Sequence, residues 1–175
     1  MERRLFLQLL IGLAAWPLRR AWAEGGESAS SGGSGPIRRL DVDPEAWRSR
    51  LSDDAYRVLF EGETEPPFSS PLDAEERAGT YVCAACKLPL FRSAAKFDSG
   101  TGWPSFTRPI AGHVETELDF HWLLPRTEYH CIRCGGHQGH RFDDGPPPTG
   151  ERWCNNGLAL AFVLEGEPLP DRVVP

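Results

Sequence analysis

Thr80-Tyr81-Val82-Cys83-Ala84-Ala85-Cys86-Lys87-Leu88-Pro89-Leu90-Phe91 is the stretch from which the fold can be read. A short β-type run, Thr80 to Val82, enters a Cys-x-x-Cys turn, and a second apolar run, Leu88 to Phe91, leaves it. The pattern returns where Glu128-Tyr129-His130 enters Cys131-Ile132-Arg133-Cys134. The other β-type runs, Phe120 to Leu124 and Leu158 to Leu164, are equally brief and bounded by Gly, Pro and Asp clusters. Runs of this kind, punctuated by turn formers, predict short antiparallel strands. The chain is therefore expected to be mainly β from Thr80 onward, with no internal repeat beyond the two cysteine pairs.

Each Cys-x-x-Cys turn brings two sulfurs close enough to share an ion, and two turns complete the four thiolates that structural zinc prefers. Cys83, Cys86, Cys131 and Cys134 are thus expected to bind one Zn2+, stapling distant parts of one domain. A pair of disulfides is the alternative, and an exported chain would permit it. The short knuckles between strand-like flanks favour zinc. A four-thiolate site has no open position for substrate, so its role would be structural.

A fifth cysteine is left over, in Gly150-Glu151-Arg152-Trp153-Cys154-Asn155-Asn156. An unpaired thiol in an exported protein is a liability unless its reactivity is its purpose. Cys154 is accordingly read as a catalytic nucleophile.

Outward toward the N-terminus, Asp43-Pro44-Glu45 reads as a helix start, with Asp43 as cap and Pro44 in the first turn. Trp47, Leu51, Tyr56, Leu59 and Phe60 follow at roughly helical spacing, and Ser52-Asp53-Asp54 is expected to divide them between two short helices. Consecutive prolines make Thr64-Glu65-Pro66-Pro67-Phe68 an extended loop. Residues 24–40 form a Gly/Ser-rich linker, and 41–175 the folded domain. Residues 1–23 carry Arg3 and Arg4, an apolar stretch from Leu5 to Leu18 and the small-x-small step Ala21-Trp22-Ala23. That is the pattern of a cleaved export signal of twin-arginine type, predicting a periplasmic or otherwise exported protein; an uncleaved anchor is the alternative. Cleavage would remove four arginines and one glutamate and move the net charge from −6 to −9. So acidic a surface argues against nucleic acid and anionic lipid as partners. The 175-residue length suits one domain.

Gly135-Gly136-His137-Gln138-Gly139-His140 follows the second knuckle directly. A His-x-x-His step can ligate metal, but four sulfurs are already available for that. The functional reading is that both imidazoles hold and protonate an oxygen near the nucleophile. In Asp98-Ser99-Gly100-Thr101-Gly102-Trp103-Pro104-Ser105-Phe106 two glycines frame Thr101 and a proline fixes the aromatic before it. Such an aromatic is ordinarily core. The tight frame suggests instead that Trp103 is presented, with a face able to hold a methyl group on an electron-poor sulfur.

Taken together, four motifs resemble the methionine-R-sulfoxide reductases of the B type. They are His137-x-x-His140-x-Phe142-x-Asp144-Gly145-Pro146, Pro148-Thr149-Gly150-x-Arg152-x-Cys154-x-Asn156, the Phe97 to Phe106 run and the paired knuckles. The resemblance covers roughly Asp43 to Leu164. It implies two antiparallel sheets with short N-terminal helices, and thiol-dependent reduction of the R epimer of methionine sulfoxide, free or in oxidised proteins. By motif position it implies Cys154 as nucleophile assisted by His137, His140 and Asn156. Trp103, Arg152 and Phe142 would face the substrate, with Arg152 near the thiolate, and the paired cysteines would hold zinc. Arg152 and protonated imidazoles are expected to lower the Cys154 pKa.

The chain departs from its relatives at Thr101, where many carry a second cysteine. This predicts regeneration by an external thiol, such as a thioredoxin-like domain, acting on a monomer. Asn155 and Gly157 replace an aliphatic residue and a serine common there, and Trp153 replaces a tyrosine or phenylalanine. The competing class is a zinc-ribbon interaction module in which Cys154 is incidental.

Overall fold

A computed structural model describes residues 36–120 and 125–175. The export-type segment 1–23, residues 24–35 of the linker and residues 121–124 of the run expected as a strand lie outside the described residues.

Two helices open the domain. Asp43 caps a 3-10 helix, Pro44–Arg50, by accepting from the Glu45 amide at 2.9 Å, and Pro44 occupies its first turn. Ser52 then caps α1 (Asp53–Glu61) by accepting from the Ala55 amide at 3.2 Å, and Gly62, at φ 73°, ends it. The break expected at 52–54 is therefore a capping serine that starts the second helix. Trp47, Tyr56 and Leu59 are buried from these helices.

The strands are β1 (Gly79–Cys83), β2 (Pro89–Arg92), β3 (Lys96–Phe97), β4 (Ser105–Phe106), β5 (Val114–Asp119), β6 (Arg126–Cys131), β7 (His137–Phe142), β8 (Arg152–Asn155) and β9 (Leu160–Leu164). They form a three-stranded sheet, β2-β1-β9, and a six-stranded sheet, β3-β4-β8-β7-β6-β5. Every pairing among these described strands is antiparallel.

Between the sheets lies an aromatic core. Phe91 of β2 stacks on Phe106 of β4 at 4.1 Å, Tyr81 of β1 meets Phe106 edge-on at 4.9 Å, and Tyr129 of β6 meets Trp153 of β8 at 5.0 Å. Each such ring contributes roughly 1.5–3 kcal/mol by leaving water, and tilted or offset pairing adds to it. Core contact reaches back to Ile37 and Leu40, and the Leu40 amide donates to the Arg133 carbonyl at 2.7 Å. At the other end the Val173 amide donates to the Cys86 carbonyl at 3.1 Å. Both terminal segments are thereby tied to the cysteine knuckles.

Of the strand expected over Phe120 to Leu124, only Phe120 is among the described residues. The ladder is carried by β5, whose Val114-Glu115-Thr116-Glu117-Leu118-Asp119 ends before Phe120, which is 70% exposed. Among the described strands β5 lies at a sheet edge, and its Glu115 and Glu117 suit solvent and discourage pairing with another chain. An apolar-run criterion passes over such a strand. It likewise passes over β7 and β8, whose polar residues are committed to the site described next.

Candidate active site and cysteine cluster

The two knuckles fold alike. In each, the amide four residues after the first cysteine donates back to that cysteine's carbonyl: Lys87 to Cys83 at 3.0 Å and Gly135 to Cys131 at 2.8 Å. Those two residues share the left-handed region, Lys87 at φ 62° and Gly135 at φ 74°. The turns face each other with Cys83 Sγ 3.6 Å from Cys134 Sγ and Cys86 Sγ 3.5 Å from Cys131 Sγ. A disulfide needs about 2.05 Å, so these contacts are not covalent. Tetrahedral thiolates on one zinc stand roughly 3.8 Å apart, given bonds of about 2.3 Å. All four sulfurs lie within 4.8 Å of one another, so the group is one that could hold a metal ion. Its electrostatics point the same way. The thiols of Cys131, Cys134 and Cys83 converge on Cys86 and favour its thiolate, while the same contacts push Cys83 far up.

The second site is set by strand register. Cys154 on β8 pairs with Ser105 on β4 and with His140 on β7; His140 pairs with Glu128 on β6, and Glu128 with Glu117 on β5. Paired residues share a face, so these side chains form one polar row across the six-stranded sheet. Trp153 and Asn155, one step either side of Cys154, turn to the opposite face and are buried.

Above the row is a cleft of about 600 Å³ into which Trp103, His137, His140, Phe142, Cys154 and Asn156 all project, with Phe60 of α1 and Glu128 completing its wall. The structure thus brings together six residues that the sequence reading singled out. Arg152 is not among the residues lining the cleft. Its guanidinium lies 4.2 Å from the Phe142 ring and forms paired hydrogen bonds to Asp144 at 2.8 and 2.9 Å. From there its charge favours the Cys154 thiolate.

Trp103 is presented by the glycine frame. Gly102 has φ 86°, and a Cβ there would stand 2.7 Å from the Phe68 backbone nitrogen, so no larger residue fits. The indole Nε1 donates to the Glu65 carbonyl at 3.0 Å, which fixes the ring plane. Beside it, Ser99 links the hydroxyls of Thr101 and Ser105, each at 2.8 Å.

The imidazoles are oriented by carboxylates. His137 Nδ1 is hydrogen-bonded to Glu128, which leaves Nε2 facing Asn156 Nδ2 at 3.4 Å. His140 Nε2 lies 3.3 Å from Asp119 Oδ2. Hydrogen bonds from His130 and His137 hold Glu128 well below the usual carboxylate range. Burial lowers the His140 pKa more than the Asp119 contact raises it, so His140 is neutral near pH 7.

The expected lowering of the Cys154 pKa is reversed. Burial raises it above the ordinary thiol value, and the Arg152 charge and hydrogen bonds from Thr101, Ser105 and Arg152 only partly oppose that. Sequence shows which charges are near; desolvation depends on how tightly the sheet closes around the sulfur.

The comparisons with known proteins agree with this arrangement. The SelR domain model matches residues 51–164, which include every residue of the cleft and the cluster. The chain belongs to the SelR-domain family. A peptide methionine sulfoxide reductase MsrB of Bradyrhizobium diazoefficiens is 55% identical over 117 residues, 66% of this chain and 84% of the relative. One from Pseudomonas putida is 47% identical over 128 residues, 72% of this chain and 96% of the relative. A third, from Xylella fastidiosa, is 46% identical over 130 residues, 74% of this chain and 84% of the relative.

Within this SelR domain Glu65, Glu128 and Asp119 escaped the sequence reading. Glu65, placed only in an extended loop, is 3% exposed. Its amide donates to Asn156 Oδ1 at 3.1 Å and its carbonyl receives Trp103 Nε1. Its carboxylate accepts from the amides of Gly157 at 2.6 Å and Leu158 at 2.8 Å. One buried loop residue thus positions the indole, the amide and the turn after β8. An acidic residue before two prolines carries no signal for this role. Glu128 did carry one: its alternation with His130 in a strand puts both on one face.

The three local departures also find structural reasons. Asn155 is fully buried and receives a hydrogen bond from Tyr129 Oη at 2.7 Å. A Cβ on Gly157 would stand 1.9 Å from Ser70 Oγ. Trp153 faces the core and donates to Glu151 Oε2 at 3.0 Å.

Proposed function

We propose that this SelR-domain protein reduces the R epimer of methionine sulfoxide, free or in oxidised proteins, at Cys154. The observation that carries the reading is the register that aligns Ser105, Cys154 and His140 on one face beneath a cleft walled by Trp103 and His137. Membership of the family and the names of its relatives support it.

The chemistry follows from these groups. The substrate's methyl group lies against the Trp103 face, and the sulfoxide oxygen toward His137, His140 and Asn156. The Cys154 thiolate attacks the sulfoxide sulfur while the oxygen is protonated, since the oxygen does not leave otherwise. In sum, one thiol and one sulfoxide become one sulfenic acid on Cys154 and one thioether. Glu128 holds His137 in the tautomer that turns Nε2 to the site, as orienting carboxylates do elsewhere. Arg152 stabilises the negative charge on the attacking sulfur.

The four-cysteine cluster binds one structural Zn2+ in this reading, on the strength of its sulfur spacing and enclosed donor set. Those four sulfurs are committed to one another, and Thr101 stands beside Cys154, so an external thiol completes the cycle. It attacks the sulfenic acid, releasing water and forming a mixed disulfide, which a second thiol reduces. A thioredoxin-like domain is the proposed donor. The N-terminal 1–23 pattern supports export, and the protein is proposed to act as a monomer.

The test is turnover of separated R and S epimers of a methionine sulfoxide peptide with dithiothreitol. R-specific turnover by the wild type, falling at least about 1,000-fold in Cys154→Ser, is expected. Turnover of S alone, or none, would refute the assignment.

A further inference from the structure

The polar row continues past the reaction cleft into a group that the proposed chemistry uses only in part. Glu128 Oε1 accepts from His137 Nδ1 and, at 2.9 Å, from His130 Nε2. These three ligand atoms lie within 4.8 Å of one another. On the neighbouring strand, Glu117 Oε1 is 3.8 Å from His130 Nε2. Two imidazole nitrogens and a carboxylate oxygen that already converge are the donor set of open zinc sites, whose ligand atoms stand roughly 3.3 Å apart. The group is reachable as well. Glu128 and His137 line the reaction cleft and also, with His130, a second cleft bounded by Arg39, Val42 and Leu59.

We infer that Glu128, His130 and His137, with Glu117 in reach of the fourth position, form an exchangeable Zn2+ site separate from the cysteine cluster, and that filling it inhibits the enzyme. A cation there takes the place of the two ring protons now directed at one carboxylate oxygen. It therefore breaks the bond between Glu128 and His137 and holds His137 by Nδ1. His137 can then no longer be set by Glu128 for its part in the reaction. His130 does not line the reaction cleft and meets it only through Glu128, which makes it the residue to change. The inhibitory half rests on the reductase reading; the binding half stands on geometry.

The binding test uses full-length protein carrying its cluster ion, in the Cys154→Ser background so that the free thiol cannot capture zinc. Titration with Zn2+ is expected to show one further equivalent, removable by a chelator that leaves the cluster ion in place. Adding His130→Ala should weaken that equivalent at least tenfold, and Glu117→Gln, at a more exposed position, several-fold. With Co2+ as probe, the further equivalent should give ligand-field bands without a thiolate charge-transfer band. No further equivalent, a thiolate band, or unchanged affinity in both variants overturns the site. For inhibition, wild-type turnover should fall at least tenfold with stoichiometric excess Zn2+ and return on chelation. The His130→Ala enzyme, on an unaltered Cys154, should keep its turnover in the same zinc. Equal inhibition of both overturns the inhibitory half. Absence of turnover before any zinc is added refutes the reductase reading instead, and leaves the binding result standing.

Discussion

The protein uses cysteine in two ways less than one domain's breadth apart, and the difference lies in what surrounds the sulfur. In the cluster, four thiols are packed against one another at 3.5 and 3.6 Å in two matched turns, and both terminal segments close over them. At Cys154 no second sulfur is near among the described residues; hydroxyls, a guanidinium and imidazoles take its place. The first arrangement gives up reactivity for constraint. The second keeps one sulfur half-buried at the floor of a cleft, at the cost of a thiol pKa raised by burial. A buried glutamine connects the two, since Gln138 Nε2 reaches Cys83 Sγ at 3.7 Å while its carbonyl accepts from the Asn156 amide at 2.8 Å.

The same substitution at each place separates the two roles most sharply. With the proposed Zn2+ in the cluster, Cys86→Ser should lose the metal and the cooperative fold together, because metal binding to such sites is worth about 10–16 kcal/mol. Cys154→Ser should unfold within about 1 kcal/mol of the wild type. Thermal unfolding followed by circular dichroism, with metal content measured alongside, checks both. Comparable losses of stability would erase the distinction.

The next test acts on Cys154 alone. A thiol with a raised pKa is mostly protonated near pH 7, so its alkylation rate should climb with pH through the neutral and mildly alkaline range. Arg152→Met removes the charge and hydrogen bond that favour the thiolate, so the profile should move to higher pH. At a fixed pH below the pKa, alkylation should slow several-fold. Iodoacetamide kinetics across pH 6–10 measure it. An unmoved profile would show that Arg152 serves only the contacts with Asp144 and Phe142.

The smallest effect lies between the two knuckles themselves. Their turns are equivalent, yet one has Lys87 and the other Gly135 in the left-handed region. Gly135→Ala should cost roughly 1–2 kcal/mol from the backbone conformation, with Arg39 needing to shift from 2.9 Å. Chemical denaturation at fixed zinc measures it. A cost near zero would mean that the metal, and not the turn, dictates that conformation.

The sequence alone was enough for the helix start at Asp43, the division at 52–54, the knuckles, the β character after Thr80 and most of the residues that gather at the cleft. These are local properties: a capping oxygen, a cysteine spacing, a proline and a pattern of residue types are visible without knowing what lies opposite. Tertiary structure decided the rest. Strand register put Glu128 beside His137 and Asp119 beside His140, a loop brought Glu65 under Trp103 and Asn156, and closure of the sheet reversed the expected shift at Cys154. Each of these depends on distance through space and exclusion of water, which sequence neighbours do not encode.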